Sequence, residues 1–224
     1  MKRAGLGLLI LTLATACQQP ASAAEHAVNA PAATRPAREA PGLKTAIFAG
    51  GCFWGIEGVF SHVNGVTSTV SGYHGGDARN ANYDAVSGGS TGHAESVRVT
   101  YDPTKVRYDQ LLQILFSVGA DPTLLNRQGP DVGTQYRAAI VPVTEEQRLV
   151  ASAYLAQLRA SGLWRQPIVA KLERYQRFYP AEDYHQDFML KNPRHPYIVT
   201  WDVQKVAALR RLYPRLYRAA YTPG

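Results

Sequence analysis

The chain has two cysteines, Cys17 and Cys52, and none after Cys52. With Cys17 placed in the leader described below, an intramolecular disulfide framework is excluded whatever the compartment. Metal-ligand spacing is missing too, because His74, His93, His185 and Cys52 are scattered and no Pro-Cys-x-x-Cys tract accompanies the H-x-E form of His93-Ala94-Glu95. The apolar run Leu6 to Leu13 is too short to span a bilayer. There is no internal repeat, and charged residues make up only 18% of the chain. What remains is a 224-residue sequence with 46% hydrophobic residues, enough for one good core.

A leader comes first. Lys2 and Arg3, the run Leu6 to Leu13 and small residues before Cys17 have the layout of a secretory signal over residues 1–23. Ala14-Thr15-Ala16-Cys17 is similar to a lipoprotein signal, in which Cys17 is acylated and anchors the protein, here to the outer membrane. Cleavage after Ala21-Ser22-Ala23 would instead release a soluble periplasmic protein. Residues 24–42, with Pro31, Pro36 and Pro41 and no apolar periodicity, read as a Pro/Ala-rich tether. Residues 43–224 form the expected folded domain.

Two of the seven excess positive charges, Lys2 and Arg3, leave with the leader, so the rest carries +5. Residues 201–224 contribute most of it through Lys205, Arg210, Arg211, Arg215 and Arg218 against Asp202. This is a basic C-terminal helix, solvated or near anionic head groups, and an exported protein has little occasion to meet nucleic acid.

Within the domain, Thr45 to Ala49 reads as a strand that passes through Gly50-Gly51 into a helix. Phe53, Ile56, Val59, Phe60 and Val63 recur along it at helical spacing, and Cys52 stands in its first turn. Val66 to Tyr73 is extended, and a Gly-, Asn- and Ser-rich loop runs to Gly92. Ser96 to Tyr101 alternates as a half-buried strand, with Glu95 just before it. Tyr108 to Val118 is an amphipathic helix and Ala138 to Val141 an apolar run. Thr144 and Gln147 form a capping box for a helix reaching about Ala160. Ile168 to Tyr175 alternates weakly as a strand, Ala181 to Lys191 looks helical, and Tyr197 to Trp201 looks extended before a last helix. Strands and helices mix without a strict βαβ rhythm, which points to an α+β fold, a two-layer sandwich of helices on a mixed or antiparallel sheet.

A thiolate is the nucleophilic form of cysteine, and a helix N-terminus lowers a thiol pKa, so Cys52 is a candidate nucleophile. A buried, inert cysteine is the alternative reading of that residue alone. Phe53 and Trp54 either pack in the core or roof a small apolar pocket beside the sulfur. Glu95 is a general acid if desolvated, or otherwise a solvated carboxylate at a strand start. Tyr83 and Tyr136 can donate hydroxyl hydrogen bonds, and Asp131 adds a polar group. A cysteine peptidase using His185 is disfavoured, because no asparagine follows Asn192 to orient the histidine. A non-enzymatic binding module would use the aromatic pocket without needing Cys52.

Gly51-Cys52-Phe53-Trp54-Gly55, Gly92-His93-Ala94-Glu95, the tract Asn126 to Arg137, Ala181 to Gln186 and Lys191-Asn192-Pro193 together resemble the A-type peptide methionine sulfoxide reductases, over about residues 43–200. The resemblance implies a ferredoxin-like sandwich that reduces methionine S-sulfoxide in oxidised proteins and peptides. It implies that Cys52 attacks the sulfoxide sulfur and becomes a sulfenic acid, and that Glu95 protonates the oxygen. Tyr83 and Tyr136 would hydrogen-bond that oxygen, Asp131 would position the group, and Phe53 and Trp54 would enclose the substrate methyl. No cofactor is implied. Many relatives carry a resolving cysteine near the C-terminus, which this chain lacks, so an external thiol must complete the cycle. A thioredoxin-like or glutaredoxin-like protein is expected, or dithiothreitol in vitro. No long apolar seam argues for an obligate dimer, and a monomer is expected.

Overall fold

A computed structural model describes residues 27–224. The leader, Cys17 and the alternative cleavage positions lie outside the described residues. The described chain runs β1 (Lys44–Gly50), α1 (Phe53–Ser61), β2 (Val66–His74), α2 (Tyr83–Ser87), β3 (Ala94–Tyr101), α3 (Tyr108–Ile114), β4 (Arg127–Gln128), β5 (Asp131–Val132), β6 (Ala138–Val141), α4 (Glu145–Ala160), β7 (Lys171–Leu172), β8 (Phe178–Pro180), α5 (Phe188–Lys191) and α6 (Val203–Leu212).

Six strands form one sheet in the order β7-β6-β1-β3-β2-β8. Its centre is a β1-α1-β2-β3-α3-β6 unit with antiparallel neighbours, and β7 adds in parallel to β6. This is the α+β sandwich expected from the sequence, with the strand order of ferredoxin-like folds. Period-two alternation puts Phe48, Val97, Val99, Tyr101 and Ile140 on the face covered by α1, α3 and α4, against Ile56, Phe60, Leu111, Leu112, Val150 and Tyr154. The reverse face carries a smaller cluster, in which Phe178 packs with Ile47 and Val141.

The capping box at α4 forms in part. Thr144 Oγ1 accepts the Gln147 N–H at 3.2 Å, while the Gln147 side chain turns to the Val143 N–H. The helix expected from Tyr108 to Val118 relaxes into a π turn over Leu115–Gly119. Three other expectations are corrected. Only Lys171–Leu172 of the 168–175 stretch pairs as a strand. The 181–191 stretch breaks at Asp187, whose φ is +54°, into a 3₁₀ turn and the short α5. Tyr197 to Trp201, rich in β-branched residues, is helical rather than extended. A π turn over Ile198–Asp202 leads into α6 and buries Asp202 against the backbone of Gly55. Tertiary packing overrides β propensity here.

The tether is also corrected from residue 27 onward. The prolines prevent regular structure, but small side chains let the strand-like chain lie flat on α3 and α4, burying Ala30 and Ala37. Several of its backbone groups find partners on the domain. Ala30 N–H donates to Ser117 Oγ at 3.1 Å, Ala30 C=O accepts from Gln113 at 2.8 Å, Pro31 C=O accepts from the Tyr154 hydroxyl at 2.9 Å, and Ala37 N–H donates to Asp109 at 2.8 Å. Glu39 accepts the Tyr101 hydroxyl at 2.8 Å. Residues 27–42 are therefore a strap that belongs to the domain. A chain beginning at residue 43 is expected to melt about 2–8 °C below one beginning at residue 27, on the order of 1–2 kcal/mol for a domain of this size. Thermal unfolding of the two by circular dichroism checks this, and equal midpoints would restore the tether reading.

Candidate active site

The site forms where β1 hands the chain to α1. Gly51 has φ +87°, and a side chain there would come within 2.5 Å of the Gln128 Cβ, so glycine is needed both for the turn and for the close approach. The turn makes Cys52 the N-cap of α1 rather than a first-turn residue. The thiol is 9% exposed, and its environment opposes the expected depression. Burial pushes the Cys52 thiol well above its ordinary value, the nearby Glu95 and Asp202 carboxyls push it further, and the Trp54 N–H pulls against them.

Glu95 reaches the same place from the sheet. It is the second residue of β3, which begins at Ala94, and it stands opposite Tyr73 in the register with β2. Alternation along β3 places it on the face of Val97, Val99 and Tyr101, so its carboxyl is carried under the start of α1 with 2% exposure. Its Oε2 accepts the Phe53 N–H at 3.0 Å. Burial pushes Glu95 up to about 8 and the charge of Asp131 adds to this, while the Phe53 hydrogen bond works the other way. The carboxyl therefore holds its proton at neutral pH, as a general acid must.

Tyr83 and Tyr136 are half-buried and within electrostatic reach of both Glu95 and Cys52. Tyr83 opens α2, whose N-cap Asn82 accepts the Ala85 N–H at 3.0 Å, and its own N–H donates to Glu182 at 2.9 Å. Tyr136 ends a 3₁₀ turn over Thr134–Tyr136. Burial, followed by the nearby acids, raises both phenols, so both keep their protons and remain donors. Asp131 stands on the short β4–β5 hairpin and accepts the Tyr197 hydroxyl.

Being adjacent, Phe53 and Trp54 face different neighbours. Phe53 is buried, 5.9 Å from the Tyr73 ring and 5.0 Å from His185. Trp54 stacks on Phe188 at 3.7 Å and donates its indole N–H to His185 Nδ1 at 3.1 Å. All seven residues singled out in the sequence thus converge on one place. Three more were missed. His185 is wedged among Phe53, Trp54 and Tyr83, Tyr197 holds Asp131, and Glu182 ties the Tyr83 backbone to the Tyr73 hydroxyl. The Ala181 to Gln186 tract marked two of these places, but nothing local in the sequence points to Tyr197.

A partly buried ion cluster braces the site from outside. Arg137 pairs with Glu173 at 2.7 Å while donating to the Gly92 and Thr134 carbonyls, so one guanidinium fixes both the Gly92-to-Glu95 tract and the Tyr136 turn. Burial alone would raise Glu173, but His74, 3.7 Å away, and the hydrogen bonds from Arg137 hold it at about 2. His93 uses both ring nitrogens on backbone groups of Gly76 and Asp77. The main surface grooves, one along Val143, Arg148 and Arg174 and another along Val28, Phe116 and Trp164, lie elsewhere.

Comparisons with known proteins agree with this geometry. The model of the family described as peptide methionine sulfoxide reductase matches residues 44–214. The chain is 56% identical over 180 residues to peptide methionine sulfoxide reductase MsrA 2 of Mesorhizobium japonicum, covering 80% of this chain and 92% of that protein. It is 49% identical over 168 residues to a Deinococcus radiodurans MsrA, covering 75% and 81%. Among solved structures, methionine sulfoxide reductase A of Corynebacterium diphtheriae is similar with a TM-score of 0.57 at 33% identity, over 79% of this chain and 93% of that one. Reduced Mxr1 of Saccharomyces cerevisiae has a TM-score of 0.61 at 30% identity, over 68% and 87%.

The raised thiol sets an expectation for the free protein. Only thiolate reacts readily with iodoacetamide, so Cys52 should alkylate at pH 7 more slowly than an unperturbed thiol and accelerate only at a higher pH than such a thiol does. Peptide mapping of the alkylated protein across pH reads this, and fast labelling of Cys52 at pH 7 would show a thiolate at rest.

Proposed function

The chain belongs to the peptide methionine sulfoxide reductase family, and from that premise we propose that Cys52 and Glu95 reduce the S epimer of methionine sulfoxide in peptides and oxidised proteins. Thiol-dependent reduction of methionine sulfoxide is the activity of the family, and no bound cofactor takes part. The observation that carries the residue assignment is Glu95, a neutral carboxyl 3.0 Å from the Phe53 N–H and beside the Cys52 sulfur.

A sulfoxide oxygen leaves only after protonation, so an acid that still holds its proton at neutral pH is required. As Glu95 delivers that proton, positive charge builds on the substrate sulfur. This charge favours the thiolate that burial alone disfavours, and the proton released from Cys52 returns to the carboxylate. The Cys52 sulfur attacks the substrate sulfur and forms an S–S bond. As the oxygen passes to the Cys52 sulfur, the substrate S–O bond and the S–S bond break, and the electron pair of the S–S bond stays with the substrate, leaving a thioether. The oxygen ends on Cys52 as a sulfenic acid, which keeps one proton. Tyr83 and Tyr136 offer hydroxyl donors for the oxygen, and Phe53 and Trp54 an apolar wall for the methyl group, in the manner of preorganised donors.

The sulfenic acid is resolved from outside. A donor thiol displaces water from Cys52, and a second donor thiol releases the mixed disulfide and restores Cys52. A thioredoxin-like or glutaredoxin-like protein suits this role, since no cysteine follows Cys52. The leader supports export and repair of oxidised proteins in the cell envelope, with Cys17 as lipid anchor if cleavage precedes it. The working unit is a monomer in this reading.

Turnover of the separate S and R epimers of a blocked methionine sulfoxide, with dithiothreitol, should show reduction of S only and complete loss in Cys52→Ser. Glu95→Gln should slow the single-turnover step by about 10²-fold or more. Activity on R, or a wild-type rate in Glu95→Gln, would overturn the corresponding assignment. Without reductant, one sulfenic acid per chain should accumulate and be trapped by dimedone, and its absence after substrate reduction would refute external resolution.

A further inference from the structure

We propose that Tyr197 is a positioning residue of this centre, fixing the Asp131 carboxyl and the open edge of Trp54 at once. The proposal rests on the reductase reading above and assigns a residue which that reading leaves unused. Tyr197 donates its hydroxyl hydrogen to Asp131 Oδ2. Its ring stands edge-on to the Trp54 indole, with centroids 5.8 Å apart and planes at 87°. It lies within electrostatic reach of Cys52, Asp131 and Asp202. One side chain thus touches both the hairpin of Asp131 and the first turn of α1, within electrostatic reach of the thiol.

The position of Tyr197 is rigidly set. It precedes the helical run that starts at Ile198, whose Asp202 is fully buried against Gly55 and 3.8 Å from the buried Lys205 Nζ. A side chain at position 55 would collide with the Asp202 carboxyl, so this run and α1 can approach only through glycine. Trp54 is also stacked on Phe188, donates its N–H to His185 and meets His195 edge to face at 5.8 Å, so Tyr197 completes a ring of aromatic neighbours around the indole. A charge-assisted hydrogen bond of this kind helps to orient the Asp131 carboxylate on its two-residue strand.

Two separable functions follow. The hydroxyl acts through Asp131 on the chemical step, and the ring acts through Trp54 on substrate affinity. The test is single-turnover sulfoxide reduction by the wild type, Tyr197→Phe, Tyr197→Ala, Asp131→Asn and the Tyr197→Phe/Asp131→Asn double variant. Each gives a rate at saturating substrate and a half-saturating concentration. Tyr197→Phe keeps the ring and should slow the saturated rate about tenfold while moving the half-saturating concentration less than about twofold. Tyr197→Ala should also raise the half-saturating concentration several-fold beyond Tyr197→Phe. The double variant should be no slower than Asp131→Asn alone, because the hydroxyl acts only through that carboxyl. A wild-type rate in Tyr197→Phe, multiplying losses in the double variant, or the same half-saturating concentration in Tyr197→Ala as in Tyr197→Phe would each overturn the proposal. Thermal midpoints of the variants accompany the rates. If Tyr197→Ala does not fold, the Phe and Asn variants alone still decide the hydroxyl's role. A wild type that reduces no sulfoxide would instead refute the reductase reading.

Discussion

The arrangement depends on the hydrogen bond between the Glu95 carboxyl and the first N–H of α1. The first turn of a helix has N–H groups with no intrahelical partner, and they favour negative charge. Here the Phe53 N–H is taken by Glu95 from β3, and the Trp54 N–H is left for the sulfur of Cys52. The helix end is therefore shared between acid and nucleophile. This explains why the thiol is not depressed as a helix-capping cysteine alone would be. Burial dominates both groups, and both rest protonated. A pair that stays neutral until the substrate enters is protected from stray alkylation and oxidation, because thiolate character governs both.

Holding that bond requires two elements distant in sequence to meet within a few tenths of an ångström. The β1–β3 pairing fixes the register, Gly51 supplies the tight turn, and the Arg137–Glu173–His74 cluster pins the entry to β3 from the far side. Glu182 does the same for Tyr83, and the run from Tyr197 to Lys205 closes the remaining side. The strap over residues 27–42 lies away from the reacting groups and fastens α3 and α4, which back the sheet.

Local signals carried a good part of this. A strand, two glycines and a cysteine ahead of a periodic apolar helix marked the position of Cys52, and clean alternation after Glu95 gave the strand it adjoins, though not whether its carboxyl turned inward. The ferredoxin-like order followed from the resemblance rather than from periodicity. What escaped was non-local. Residues 27–42 resemble a tether because proline removes periodicity, yet Ala30 and Ala37 are buried for their smallness. Ile198, Val199 and Thr200 favour a strand on propensity, but Asp202 seats on Gly55 and the run becomes helical. The Cys52 thiol was misjudged because burial and neighbouring acids come from β3, β5 and the approach to α6, none of them adjacent in sequence. His185 and Tyr197 were missed for the same reason.

The central claim is that Glu95 is a protonated acid at neutral pH in the folded protein. Infrared difference spectra of the wild type against Glu95→Gln, recorded from pH 5 to 10, would isolate its carboxyl C=O stretch from those of the other buried carboxyls, Glu57, Asp109 and Asp202. The account requires the band to persist through pH 7 and disappear with a midpoint at about 8. A carboxylate already formed by pH 6 would contradict it.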